Sequence, residues 1–319
     1  MDLAKFTTIF CDKRNCRISS AKTTWYNIRR LLKLANKENK LVPKSTAWVK
    51  NSLLDEINKL KSKPRRNVLA SLVSYLKVFN AGEQKIKTFV ASMMESAKVV
   101  QSENKNQQMS DTQKKNWVKW GTILNLYKLL SKDATARNLW RKANLTTRDI
   151  NQLNSVFALA FHGVLEPPMR LELATVKLGT RYSTGNFIYK NKGWILVLND
   201  TKTSNKTGPS QRKLSGNMAR LINKYIRVRE IKSGEYLIQN KFGSNFSQQA
   251  YSRFIKRIFK TNLDRNIGAS MLRSIYLSHK YKNTPNLLEM ESTAIKMGHS
   301  VSTALEHYVK HNPGISKLN

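Results

Sequence analysis

Asn186-Phe187-Ile188-Tyr189-Lys190-Asn191-Lys192-Gly193-Trp194-Ile195-Leu196-Val197-Leu198 is the stretch that decides the fold. Two runs of aromatic and branched apolar residues flank a short connection ending in glycine, the pattern of a β-hairpin. A second turn near Asn205 to Pro209 leads to a short third strand around Gln211 to Leu214. On both sides of this segment the apolar period is helical. The sequence therefore predicts a mainly α protein with a small antiparallel β-sheet, an α+β arrangement with the sheet set among helices.

Toward the C-terminus, helices are predicted at about 216 to 231, 247 to 260, 268 to 281 and 286 to 297, then a short last one ending near Tyr308. Toward the N-terminus, Thr146-x-x-Asp149 is a capping box that opens a helix through Ile150, Leu153, Phe157, Phe161 and Val164. Pro167-Pro168 then stops the chain and begins a new helix with Arg170 in its first turn. Trp117 to Leu130 is amphipathic, and the polar run Ser102 to Lys115 before it predicts a linker. Further upstream, Trp25, Ile28, Leu31, Leu32 and Leu34 form one apolar stripe. A second follows Ser45, a predicted N-cap, through Trp48, Leu53, Leu54, Ile57 and Leu60. A basic turn, Lys59 to Arg66, precedes a third stripe of Val68, Leu69, Leu72, Val73 and Leu76. The expected domains are an N-terminal helical one over 1–105, a C-terminal one over 116–312, and a tail over 313–319.

The charge narrows the partner. Among 319 residues, Lys and Arg number 57 against 20 Asp and Glu, for a formal net charge of +37. That excess runs from Lys5 to Lys317 rather than gathering in one tail, which suits a protein wrapped on double-stranded DNA. Hydrophobic residues at 40% are enough for packed cores. Cys11 and Cys16 lie five apart with no histidine nearby, so neither a zinc site nor a disulfide framework is expected. The first residues lack the apolar core of a signal peptide, and Leu153 to Leu165 is too short and polar for a membrane span. The expectation is a soluble intracellular protein with no membrane partner.

Five residues in the second half form a chemical set: Arg170, Lys202, Arg273, His299 and Tyr308. Cutting a DNA strand without a metal needs three things at one phosphate. A nucleophile attacks phosphorus, cations hold the charge growing on the non-bridging oxygens, and an acid protonates the leaving sugar oxygen. Tyrosine, with a free pKa of about 10, is a weak nucleophile unless guanidinium groups stabilise its phenolate. Arginine suits the cationic role because its planar fork matches two phosphate oxygens. Taken singly, each residue has an ordinary reading as surface charge, cap or interface aromatic. Their order, with a sheet between the two arginines, is what distinguishes them.

Pro168-Met169-Arg170-Leu171-Glu172-Leu173, Asp200-Thr201-Lys202-Thr203-Ser204, Met271-Leu272-Arg273-Ser274-Ile275-Tyr276 and Met297-Gly298-His299-Ser300, with Tyr308 nine positions after the histidine, carry a resemblance. Over roughly residues 145 to 312 the chain resembles the tyrosine recombinases, the phage-integrase-type site-specific recombinase family. The resemblance implies a two-domain C-shaped DNA clamp whose N-terminal helices form the core-binding half and whose residues 116–312 are catalytic. It implies Tyr308 as nucleophile forming a 3′-phosphotyrosyl link, Arg170, Arg273 and His299 as transition-state stabilisers, and Lys202 as general acid. It further implies a metal- and ATP-independent reaction with no cofactor. A homotetramer on DNA, a dimer on each site, would act in integration or excision of a mobile or viral element, at DNA in the nucleus or nucleoid.

Two positions depart from the family pattern. Ser270 stands where His or Lys is usual, three residues before Arg273; it can donate to phosphate but cannot share charge, so the role weakens or passes to water or a neighbour such as His279. Glu172 lies one step nearer Arg170 than the family's acidic residue, as an orienting group or a surface carboxylate. Glu166 with Glu172 makes no acid/base pair, and His162 in its apolar helix reads as structural. The rival readings are a type IB topoisomerase with the same chemistry and a catalytically silent DNA-binding protein on the same scaffold.

One geometric condition follows. In an unbroken helix His299 and Tyr308 would lie about 13 Å apart on opposite faces. The set therefore requires a turn at Gly298, with Ser300 or Ser302 as the next N-cap.

Overall fold

The hairpin forms as read, and the computed structural model places it in a sheet of four strands: β1 (Lys177–Leu178), β2 (Asn186–Lys190), β3 (Trp194–Leu198) and β4 (Ser210–Lys213), adjacent in that order. Residues 1–37, 40–107, 109–181, 183–202, 204, 208–282 and 286–310 are described by the structure. At the hairpin turn Gly193 takes φ +135°, and its carbonyl accepts from Asn191 N at 2.8 Å. β2 and β3 pair antiparallel with Ile188 opposite Leu196, and β3 and β4 pair antiparallel with Leu196 opposite Arg212. The sheet is not purely antiparallel. β1 joins β2 in parallel, Leu178 beside Ile188, which makes it mixed. A two-residue strand carries too little alternation to be read from sequence.

The chain divides into two compact units, Met1–Asn106 and Gln107–Asn319. In the first, helices Leu3–Arg14, Ile18–Leu34, Leu53–Asn58, Ser62–Val78 and Glu83–Lys105 enclose a core of Phe6, Trp25, Ile28, Leu31, Leu69, Leu72 and Leu76. The helix predicted from Ser45 starts only at Leu53. The buried Tyr75 hydroxyl is the reason: it lies 2.9 Å from the Pro43 and Ser45 carbonyl oxygens and accepts from Trp48 Nε1 at 3.1 Å, holding the segment in an irregular path. The basic turn from Lys59 is also shorter than predicted, because Ser62 already begins a helix and Pro64 sits in its first turn, where its missing N–H costs nothing. The polar run Ser102 to Lys115 holds more helix than its composition suggests. One helix reaches Lys105, and a capping box of Ser110 with Gln113 opens another, Asp111–Asn116.

In the second unit, helices Trp120–Ala136, Thr147–Leu159, Gly216–Arg229, Gln248–Leu263 and Ala269–Lys280 pack around the inner face of the sheet. Thr146 and Asp149 make the predicted capping box. The helix they open does not continue straight through Val164: residues Ala160–Val164 wind as a π turn, with Gly163 at φ +127°. A Cβ on Gly163 would meet Trp120 Cη2 at 2.5 Å, so the indole needs glycine there. The buried His162 bonds through Nε2 to the Tyr251 hydroxyl at 3.1 Å. Burial, and secondarily the Arg273 charge, pushes its imidazole down to about 4, so it is neutral in the fold. Among the described residues, no helix is long and apolar enough to cross a membrane.

Candidate active site

The helix Leu287–Lys296 ends at Met297, and the chain reverses through Gly298 at φ +69°. Ser300 then caps the next segment by accepting from Thr303 N at 3.2 Å. Of the two cap residues the spacing allowed, the chain uses Ser300. Val301–Thr303 makes one α turn and Ala304–Tyr308 a π turn, closed by Val309 N donating to Ala304 O at 3.0 Å. One extra residue in the turn swings Tyr308 by about 100° from its α-helical direction. This last segment packs onto the Ala269–Lys280 helix through Leu277, Tyr281, Met297 and Ala304. Lys310 N donates to Ser278 Oγ at 2.8 Å, and Gln107 Nε2 donates to Leu305 O at 2.8 Å. Tyr308 is thus held against the arginine-bearing helix of its own chain.

Four of the five predicted residues converge. The Arg273 Cζ lies 4.6 Å from the Tyr308 ring centroid, and the His299 ring stacks on Tyr308 at 5.3 Å and 27°. Arg273 Nη2 donates to Met297 O at 3.1 Å, and Arg170 Nη1 donates to Gly298 O at 3.3 Å. The two guanidinium groups therefore hang from consecutive carbonyls of one turn. Arg273 is fully buried, and its Nε and Nη1 have no hydrogen-bond partner among the described residues. Buried donors of this kind are costly unless an anion completes them. Burial lowers the Arg273 guanidinium to about 10; Tyr308 favours its charge, Arg170 opposes it and Glu172 favours it.

His299 Nδ1 lies 3.0 Å from the Ser300 carbonyl oxygen, a contact that requires Nδ1 to carry the proton. Nε2 is then the open nitrogen, buried and without a partner among the described residues. Burial first, then the Arg273 and Arg170 charges, push the imidazole down to about 4. At neutral pH it is uncharged, with a lone pair on Nε2.

The other candidates differ in position. Glu172 is buried, beginning the single 3-10 turn Glu172–Thr175; it is no surface carboxylate, and its Oε2 has no hydrogen-bond partner among the described residues. Arg170 is not in a helix as predicted. Pro167 and Pro168 fix an extended segment, and helical turning starts only at Glu172. Lys202 is exposed on the connection between β3 and β4, and no hydrogen bond or ion pair joins it to the other four among the described residues. Its neighbours Thr203 and 205–207, including the turn predicted near Asn205, fall outside the described residues. Ser270 is exposed in the first turn of the Arg273 helix, where its carbonyl accepts from Ser274 Oγ at 3.3 Å. His279 stacks on Trp120 at 6.3 Å.

One charged pair near the site escaped the sequence reading. Arg212 Nη1 lies 3.7 Å from Glu166 Oε2, with side-chain exposures of 15% and 6%. The signal was available: Arg212 is two residues from the buried Leu214 and shares its side of the strand. Among the described residues no group of three or more His, Cys, Asp or Glu lies together as a metal would require.

No family model matches the chain, and no curated protein matches it. Among solved structures, the chain is similar to XerA recombinase, with a TM-score of 0.41 and 11% identity over 98% of this chain and 94% of that one. It is also similar to the Tn1549 transposon integrase in complex with transposon right end DNA, with a TM-score of 0.44 and 11% identity over 99% and 98% of the two chains.

Proposed function

We propose that the chain is a tyrosine recombinase, which cuts and rejoins DNA strands through a 3′-phosphotyrosyl intermediate in the integration or excision of a mobile or viral element. The observation that carries this reading is the phenol of Tyr308 held, within one chain, against both Arg273 and His299. An interface aromatic needs no such company of open cationic donors.

In this reading the scissile phosphate sits against Arg170 and the open Nε and Nη1 donors of Arg273. The diester anion offsets the two positive charges that depress His299, so its proton affinity rises on binding. His299 Nε2 then takes a proton and donates to a non-bridging oxygen. The Tyr308 oxygen attacks phosphorus, its proton leaving to solvent, and the bond to the 5′ sugar oxygen breaks. Lys202, brought to the DNA by its connection, supplies the proton that makes a 5′-hydroxyl. A second duplex's 5′-hydroxyl reverses these steps, which conserves the bond energy without ATP. The N-terminal helices, residues 1–105, would grip the far side of the duplex, and 116–312 the scissile side. The working assembly is a homotetramer on two DNA sites inside the cell, with the charge of +37 supporting the polyanion partner.

The exposed Ser270 favours a second reading, a silent DNA-binding protein, because it leaves one expected cationic position uncharged. Incubation with a nicked suicide duplex separates the two. A covalent protein–DNA adduct that vanishes in Tyr308→Phe supports the enzyme; DNA binding with no adduct under any condition supports the silent binder. Strand exchange between two duplexes, against relaxation of a supercoil, then divides recombinase from type IB topoisomerase.

A further inference from the structure

Arg212 stands where a strand residue should be apolar. It pairs with Leu196 across β3 and β4, and Leu196 is a core residue, so Arg212 shares the sheet's inner face. Its Nε, Nη1 and Nη2 are all shielded from solvent, and none has a hydrogen-bond partner among the described residues. Among the described residues the ion pair it makes is with Glu166, at 3.7 Å, too long for a hydrogen bond. The other Glu166 oxygen accepts from Ser215 N at 2.7 Å, just past the end of β4. A buried, loosely joined ion pair of this kind is a poor stabiliser, and an apolar pair of similar volume often serves stability better. Packing alone leaves it unexplained.

Its location supplies a reason. Glu166 is four residues before Arg170, and the intervening chain is Pro167, Pro168 and the buried Met169. Two prolines fix two of the φ angles between them, so displacement of the Glu166 carboxylate passes toward Arg170 with less backbone freedom to absorb it than an ordinary segment has. The same pair acts on Tyr276, one turn beyond Arg273 on its helix: Arg212 favours the ionised phenol and Glu166 opposes it, both after the larger effect of burial. The pair thus lies beside the Arg273 helix as well as at the start of the Arg170 segment.

We propose that Arg212 and Glu166 are positioning residues that hold Arg170 in register with Arg273. The inference rests on the reading of Arg170 as a phosphate ligand given above. Neither side chain touches the reacting atoms; both act through the Pro167-Pro168 segment.

Two measurements on the full-length protein test it. In Arg212→Met, amide exchange of residues 165–175 should rise at least about tenfold, while the Thr147–Leu159 and Gln248–Leu263 helices keep their protection. Unchanged exchange in that segment, or a rise spread over both helices, overturns the proposal, and this readout needs no activity. The second measurement is the rate of adduct formation at saturating suicide duplex. Arg212→Met should slow it about tenfold or more on an ordinary phosphodiester, but less than about threefold on a neutral methylphosphonate linkage, which no longer needs Arg170's charge. Arg212→Lys, which keeps the cation, should remain within about threefold of the parent. Equal slowing on both linkages would mean a general loss of structure and overturn positioning. If the parent protein forms no adduct at all, the recombinase reading fails, while the exchange measurement still decides whether the pair holds the Arg170 segment.

Discussion

Arg273 and Arg170 are tethered to adjacent carbonyl oxygens, those of Met297 and Gly298, so one reversal of the chain aims both guanidinium groups. The next residue in that reversal is His299, and its ring reaches Tyr308. A single turn therefore couples three of the candidate groups, and a change in its backbone should disturb them together.

Gly298→Ala tests that coupling. The position has φ +69°, and a Cβ there would stand 3.5 Å from Arg170 Nη1, an ordinary contact. The cost comes from the left-handed backbone, about 1 kcal/mol. Thermal unfolding should shift down by a few degrees, and adduct formation should slow by about tenfold as the carbonyls rotate. A rate equal to the parent's would show that the turn does not aim the arginines.

Gly163→Ala should be the more damaging of the two glycine substitutions. It adds a Cβ 2.5 Å from the Trp120 indole at a φ of +127°. Strain and overpacking together should cost about 2–4 kcal/mol, read as a lower urea midpoint at unchanged slope.

Acid should weaken the fold before the carboxylates titrate. His162 and His299 are both held near 4, below the usual imidazole value, mainly by burial. The unfolded chain therefore binds more protons between about pH 4 and 6.5, and stability is full above that window and lost as pH falls through it. For the fully buried His162 the loss at pH 5 is on the order of 2 kcal/mol. Urea midpoints at pH 7.5 and 5.0 should differ accordingly, and His162→Gln should flatten the difference. Equal midpoints in the parent protein would contradict a neutral buried imidazole.

Lys202→Ala should slow adduct formation by about 10²–10⁴-fold, the range for loss of a general acid. A duplex with sulfur in place of the 5′ bridging oxygen has a leaving group that needs no proton. On it the variant should recover to near the parent rate. Persistent slowing would give Lys202 a role in binding instead.

The elements legible in the sequence were those set by local chemistry. Gly193 closes the hairpin, Thr146 and Asp149 cap their helix, and Gly298 reverses the chain just ahead of His299, because each choice depends on a few neighbouring residues. The departures came from distant contacts. Tyr75 and Trp48 keep Ser45 to Ser52 from helix through hydrogen bonds spanning about thirty residues of chain. Trp120 demands the glycine in the π turn after Leu159. β1 is held by remote chain: Gly179 N donates to Ile188 O and Leu178 N to Glu235 O, at 2.8 Å each.

By itself the sequence determined a helical protein around one small sheet, a strongly cationic surface, and the identity and order of Arg170, Lys202, Arg273, His299 and Tyr308. Residue type, period and spacing are local properties, and those conclusions need nothing more. Tertiary structure alone decided that Tyr308 meets Arg273 and His299 from its own chain, that Glu172 is buried where its charge acts on Arg273, and that Arg212 lies inside with Glu166. Each of these depends on where residues remote in sequence are brought by packing, a matter of burial and chain reversal that no short stretch encodes.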